Sequence, residues 1–298
     1  MAAATLPAKA TGPSLMARLG RATPYLLLLP GIAYLVVFYV VPSFQMFLYS
    51  ISTGNVDAGY QPNAGLANYA TAIQLYTRQL WNSILYGGLA TILTLLIGFP
   101  VAYTVAFRGG RYKNFILFLV IAPFFTSFLI RTISWKILLG DEGPLLGTLK
   151  HAIGILPADF SLTGTALAQV AGITYNFLPF MILPLYVALE KIDPRLLEAA
   201  GDLYASRVQA FRRITIPLAL PGIFAGTLLT FIPAMGDYIN AELLGNPTTQ
   251  MIGNVIQRKL LVQNDFAVGA ALSFILMGGI LLAVFVYARA LGTEQLTG

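Results

Sequence analysis

Six long apolar runs organise this chain. They are Tyr25–Tyr49, Ser83–Phe107, Phe115–Leu139, Thr163–Leu189, Leu218–Met235 and Phe266–Ala290. A bilayer core of about 30 Å is crossed by about 20 helical residues, so each run predicts one membrane-spanning helix. Pro179 and Pro184 punctuate the fourth run, and Pro221 and Pro233 the fifth. Proline is tolerated there when neighbouring helices or water satisfy the carbonyls it frees. The first run follows a basic tail carrying Lys9, Arg18 and Arg21. It is too long for a signal peptide and lacks a small-x-small cleavage site after it, which predicts an uncleaved first span. The expected division is a tail over 1–23 and a membrane domain over 24–298, an all-α polytopic protein with six transmembrane helices.

Composition agrees with this pattern. The 298 residues are 57% hydrophobic and 10% charged, against about 25% charged in an ordinary soluble domain. There is no cysteine and a single histidine, His151, which excludes thiolate chemistry and a histidine-rich metal site within one chain. The net charge of +6 is scattered between apolar runs and forms no continuous stripe with interleaved aromatics, contrary to what a nucleic-acid surface needs.

The loops fix an expected orientation. With the N-terminus in the cytoplasm, the inner segments hold 12 of the 18 basic residues, among them Arg108, Arg111, Lys113, Lys191, Arg195, Arg212, Arg213 and Arg289. The positive-inside rule favours that arrangement and predicts both termini cytoplasmic. Arg131 lies 18 residues after Lys113, about 27 Å up a straight helix at 1.5 Å per residue. That height predicts an arginine near the outer interface, snorkelling to the headgroups, with contact to a partner subunit as the alternative.

One polar stretch stands between two uncharged runs. Residues 198–213, Glu-Ala-Ala-Gly-Asp-Leu-Tyr-Ala-Ser-Arg-Val-Gln-Ala-Phe-Arg-Arg, hold two acids and three arginines. Asp193 suits a helix N-cap and Pro194 the first helical position, where its missing N–H costs nothing. Leu197, Ala200, Tyr204 and Val208 follow at helical spacing and predict one apolar stripe, with Arg195, Glu198, Asp202 and Arg207 elsewhere on the surface. A second short turn is expected over Ala210–Ile214, ending at Pro217. Such an element could equally be an interfacial helix on the headgroups, or a surface helix held by an Arg195–Glu198 pair.

The residue pattern narrows this. Glu198-Ala199-Ala200, followed by Ile214-Thr215-Ile216-Pro217, resembles the EAA signature of ABC importer permeases, in which EAA, three residues, Gly, and nine residues precede I-x-L-P. Ile216 replaces the pattern's Leu and Tyr204 its Gly. A glycine read as allowing close backbone packing leaves the fit of this loop in question. Gly201, three positions earlier, is a candidate compensation. The runs over 81–103, 122–140, 175–206 and 217–238, and Gly-Ala-Ala-Leu-Ser at the start of the sixth span, are similar to the permeases of spermidine/putrescine ABC transporters. The likeness spans about residues 20–292.

The resemblance implies a type I ABC importer permease fold in a bacterial plasma membrane. It also implies that the loop over 193–217 docks on a cytoplasmic ATPase, through Glu198, Ala199, Ala200, Gly201, Asp202, Tyr204, Arg207, Ile214 and Pro217. The implied partners are a second, different permease, two ATPase copies and an external solute-binding protein. No G-x-x-x-x-G-K-[ST] is present, so the chain needs no cofactor of its own, and ATP and Mg would be bound by the partner ATPase. Polyamines are the implied solute. Another small solute of the same importer class is the alternative, with a six-span scaffold or intramembrane enzyme behind it.

A polycation needs carboxylates, carbonyls and aromatic faces at modest strength along its path. Asp237, Tyr238, Asn240 and Glu242 at the outer end of the fifth span are candidates. Tyr175 and Asn176 are others, if Pro179 breaks the fourth helix and opens a cavity. The competing readings are a solvated helix end for the first group and helix–helix hydrogen bonding for the second. Gly222 and Gly226 predict close packing against an unspecified helix. His151, Asp159 and Ser161 share a loop without the spacing of a triad.

Overall fold

The computed structural model describes residues 27–63, 65–152, 157 and 159–291. The basic tail with Lys9, Arg18 and Arg21 lies outside them. The described chain is almost wholly helical, with ten helices and one hairpin in this order: α1 Leu27–Ser50, β1 Ser52–Asn55, β2 Gly59–Pro62, α2 Ala67–Arg108, α3 Lys113–Ile121, α4 Phe128–Leu138, α5 Ala166–Glu190, α6 Pro194–Asp202, α7 Arg207–Met235, α8 Tyr238–Leu244, α9 Ile252–Leu261 and α10 Phe266–Leu291. Five helices, α1, α2, α5, α7 and α10, are long and apolar enough to cross a membrane.

The third predicted span is broken. Helical turns over Gly110–Phe125 and the helix Phe128–Leu138 meet at 94° around Thr126–Ser127, so six spans result only if this bent pair counts as one. The break has local causes. Pro123 cannot donate within a helix, and Thr126 and Ser127 are extended, with ψ of 149° and 140°.

Two other helices are longer than their apolar runs. α2 has 42 residues, far more than a 30 Å core requires. Its first ten residues end at the non-helical Tyr76 (φ −122°), where two helical segments join across a kink. α7 begins at Arg207, not at Leu218, because the expected turn near Ala210–Ile214 is a π-helical segment, Phe211–Thr215, that runs on into the fifth span.

The core lies where α2, α5 and α7 pack together. Ala102 and Val105 of α2, Met181, Ile182, Leu185 and Leu189 of α5, and Ala219 of α7 are all buried there. Gly222 and Gly226 face α5. A Cβ on Gly222 would lie 2.7 Å from the Pro184 carbonyl, and one on Gly226 2.8 Å from Met181 Sδ. α5 itself runs unbroken through Pro179 and Pro184, so no cavity opens at a broken fourth helix. α10 packs on α1, α2 and α9. The hairpin is tied to its start, where the Tyr60 hydroxyl donates to the Asn264 carbonyl (2.9 Å) and accepts from the Phe266 N–H (3.1 Å).

The contacts gather the basic helix ends at one end of the bundle. Lys113, at the start of α3, pairs with Glu190 at the end of α5 and lies over the Tyr186 ring. Phe211, at the root of α7, meets Phe99 and Tyr103 near the end of α2 (5.5 and 6.0 Å). Midway along α7, Phe224 stacks on Tyr287 of α10.

Candidate functional site

The polar stretch between the fourth and fifth spans forms a compact helix–turn–helix at that basic end. Asp193 caps α6, accepting from the Arg195 N–H at 2.9 Å. Ser206 caps α7 in a capping box: its hydroxyl accepts from the Gln209 N–H (3.3 Å), and Gln209 Oε1 accepts from the Ser206 N–H (2.8 Å). Ser-x-x-Gln is legible in the sequence as that motif.

The turn between the helices follows from hydrogen bonding at the end of α6. The Tyr204 N–H donates to the Gly201 carbonyl and the Ala205 N–H to the Ala200 carbonyl, both at 2.9 Å. This pair of bonds is a Schellman cap, which places one residue in the left-handed region. That residue is Tyr204, at φ +59°. The pattern's glycine therefore answers a demand for positive φ, not for close packing. An L-residue there costs about 1–2 kcal/mol. Gly201 is exposed with open space above its Cα and negative φ, so it offers no compensation.

The expected apolar stripe is only half realised. Leu197 is half-buried and Ala200 buried, facing the protein, while Val208 is 66% and Tyr204 98% exposed. The helix has already ended at Asp202, so Tyr204 leaves the register that would carry it inward. Glu198, Ala199, Asp202, Arg207 and Pro217 are exposed and Ile214 is half-buried. A groove of about 560 Å³ runs between the two helices, with Ala199, Ala200, Leu203, Gln209 and Ile214 in its walls. One short turn joins α6 to α7, which continues into the bundle.

At the opposite end the substrate-pathway candidates separate into groups. Asn176 Nδ2 donates to Thr132 Oγ1 (3.1 Å) and to Asn240 Oδ1 (3.2 Å), joining α5 to α4 and α8. Asp237 caps α8, accepting from the Asn240 N–H (3.0 Å) and side-chain amide. Gly172 permits this approach, since a Cβ there would lie 2.7 Å from Asn240 Oδ1. Burial pushes the Asp237 carboxyl, which lies past the end of the fifth span, above its ordinary range, against the pull of the Asn240 hydrogen bonds. Glu242 is exposed and accepts from Asn254 Nδ2 at 3.1 Å, and Tyr238 is partly exposed. Tyr175 is apart from both, its ring 5.4 Å from Trp135.

Arg131 does not snorkel outward. It is 8% exposed, its guanidinium lies over Phe124 (5.1 Å) and Phe128 (5.5 Å), and Nε and Nη1 have no hydrogen-bond partner among the described residues. The break at Thr126–Ser127 turns its helix inward, which a straight-helix estimate of height could not anticipate. Thr132 and the buried Gln169 escaped the sequence reading because single hydroxyls and amides in apolar runs carry no spacing signal.

Comparison with known proteins agrees with this geometry. Residues 95–290 match the family described as the binding-protein-dependent transport system inner membrane component. The chain is 40% identical over 259 residues to the spermidine/putrescine transport system permease protein PotB of Haemophilus influenzae, covering 87% of this chain and 90% of that protein. It is 37% identical over 260 residues to PotB of Escherichia coli K12, covering 87% and 94%. Among solved structures, a bacterial ABC transporter involved in alginate import superposes with a TM-score of 0.77 at 19% identity, over 95% of this chain and 99% of that one. This last likeness bears on fold alone. The chain is a multi-pass inner-membrane protein, and it belongs to the family of binding-protein-dependent transport system inner membrane components, the permease subunits of ABC importers.

Proposed function

We propose that this permease imports polyamines such as spermidine and putrescine, and that a cytoplasmic ATPase drives it through residues 193–217. The observation that carries the solute assignment is the 40% identity to a spermidine/putrescine permease across 87% of the chain. The ATPase assignment rests on the capped helix–turn–helix at the basic end, whose polar surface, with Glu198, Asp202 and Arg207 exposed, has no partner among the described residues. In this reading the basic end and both termini are cytoplasmic. ATP and Mg are bound by the ATPase, two copies of which sit beneath this chain and a second permease, while an external binding protein delivers solute.

At the outer end, Glu242 is the carboxylate a passing cation meets. Asp237 is turned inward to Asn240 and holds the α4–α5–α8 junction instead. Tyr238, between them, offers a partly exposed ring, and Asn176 and Asn240 contribute through that junction.

Co-purification of the complex, followed by ATPase assay with the binding protein and candidate solutes, tests the assignment. Stimulation by spermidine or putrescine is expected. Stimulation by an amino acid or an anion, with none by either amine, rejects the polyamine reading and leaves the family intact.

A further inference from the structure

Tyr204 combines two properties that its own chain does not explain. Its backbone is left-handed at φ +59°, a conformation glycine adopts freely and bulky residues resist. Its side chain is 98% exposed, so the ring repays nothing by packing in this chain. The Schellman bonds at Ala200 and Gly201 would form at least as well around a glycine. A tyrosine at a position that favours glycine, with its ring in solvent, is suited to a contact outside the chain.

The surroundings indicate what kind of partner. Leu203 beside it is 81% exposed and Val208 66%, giving a small apolar patch centred on an aromatic ring. Asp202, two residues before Tyr204, and Arg207, three after it, are exposed and bring charges of both signs to the turn. A surface of anionic headgroups would attract only one of the two. An aromatic anchor inside a rim of mixed charge is instead the composition of a protein interface hot spot. Tyrosine suits that role because it offers a large rigid face with a hydroxyl at its tip.

We propose that the Tyr204 ring inserts into an apolar pocket on the ATPase subunit and is the main anchor of that subunit on this permease. The left-handed turn is the device that aims it: only in this backbone region does the side chain leave the α6 register and project from the tip of the segment. A permease with glycine at this position would lack the anchor, so the residue also selects the ATPase that carries the matching pocket. This inference rests on the coupling role of residues 193–217.

The test uses the full complex in nanodiscs, with the ATPase that co-purifies with the wild-type permease, and compares Tyr204→Gly, Tyr204→Asn and Tyr204→Phe. Glycine and asparagine both accept positive φ, so neither burdens the fold. Both are expected to weaken ATPase binding by roughly tenfold or more, with a thermal midpoint equal to or above wild type. Tyr204→Phe keeps the ring and is expected to bind within about threefold of wild type, the modest cost of losing one hydroxyl. Glycine and asparagine variants that bind as tightly as wild type overturn the anchor while leaving the coupling role standing. If no ATPase co-purifies with the folded wild-type permease, the coupling role falls, and the anchor with it.

Discussion

Asn176 of α5 donates to Asn240 of α8 across 3.2 Å, and the same amide donates to Thr132 of α4 at 3.1 Å. Three elements that follow different breaks in the chain are therefore held at one buried point. Asn176→Leu leaves Thr132 and Asn240 facing an apolar side chain. It should lower stability by about 1–2 kcal/mol, the scale of polar contacts between helices in lipid. Thr132→Val, which removes one hydroxyl but leaves the Asn176–Asn240 bond in place, should cost less. Thermal midpoints of the purified variants check the order; equal losses, or none, would mean that the junction is not held by these bonds.

The fourth and fifth spans meet through glycine. A Cβ on Gly222 would lie 2.5 Å from Ala188 Cβ and 2.7 Å from a backbone carbonyl, whereas one on Gly226 meets the flexible Met181 thioether at 2.8 Å. Backbone cannot yield as a methionine tip does, so Gly222→Ala should be the more damaging. Its expected cost is about 1–3 kcal/mol, the usual penalty for overpacking a core, with Gly226→Ala milder. Melting of the two variants in detergent gives the ranking, and the reverse order contradicts this packing.

Glu242 is exposed at the end of the bundle opposite residues 193–217 and, among the described residues, is partnered by the Asn254 amide alone, so its charge is available to a cation. Glu242→Gln should raise the KM for spermidine uptake by roughly two- to fivefold, as expected for one exposed charge pair, with the thermal midpoint unchanged. Uptake kinetics in proteoliposomes decide this. An unchanged KM removes Glu242 from the solute path. Asp237→Asn tests a different property: it alters a buried cap, and its effect should be read in stability before transport.

The parts legible in the sequence are those governed by one dominant force. Apolar length placed α1, α5 and α10 to within a few residues, because burial in lipid needs only a long enough hydrophobic run. Asp193-Pro194 fixed the start of α6 by local hydrogen bonding alone. What was not legible depends on tertiary geometry or on competing signals. The 94° break at Thr126–Ser127 is hidden in an apolar run whose composition suits a straight helix equally well. The burial of Arg131 follows from that break. α8 and α9 are short amphipathic helices whose pattern is weaker than the spans on either side. Tyr204 was visible as a departure from a pattern, but its meaning required the sign of φ. The Glu-Ala-Ala pattern located the inner segment; its helix end then explained why the pattern carries a glycine.

The most direct test of the account is solute-driven ATP hydrolysis by the reconstituted complex, wild type against the double variant Glu198→Lys, Ala200→Leu. Ala200 is 8% exposed and faces the protein while Glu198 is exposed, so the pair alters both the seating of α6 and its outer charge. With normal expression and membrane insertion, the double variant should lose spermidine-stimulated ATP hydrolysis and uptake together. Wild-type stimulation and uptake from a normally inserted double variant would contradict a coupling role for residues 193–217.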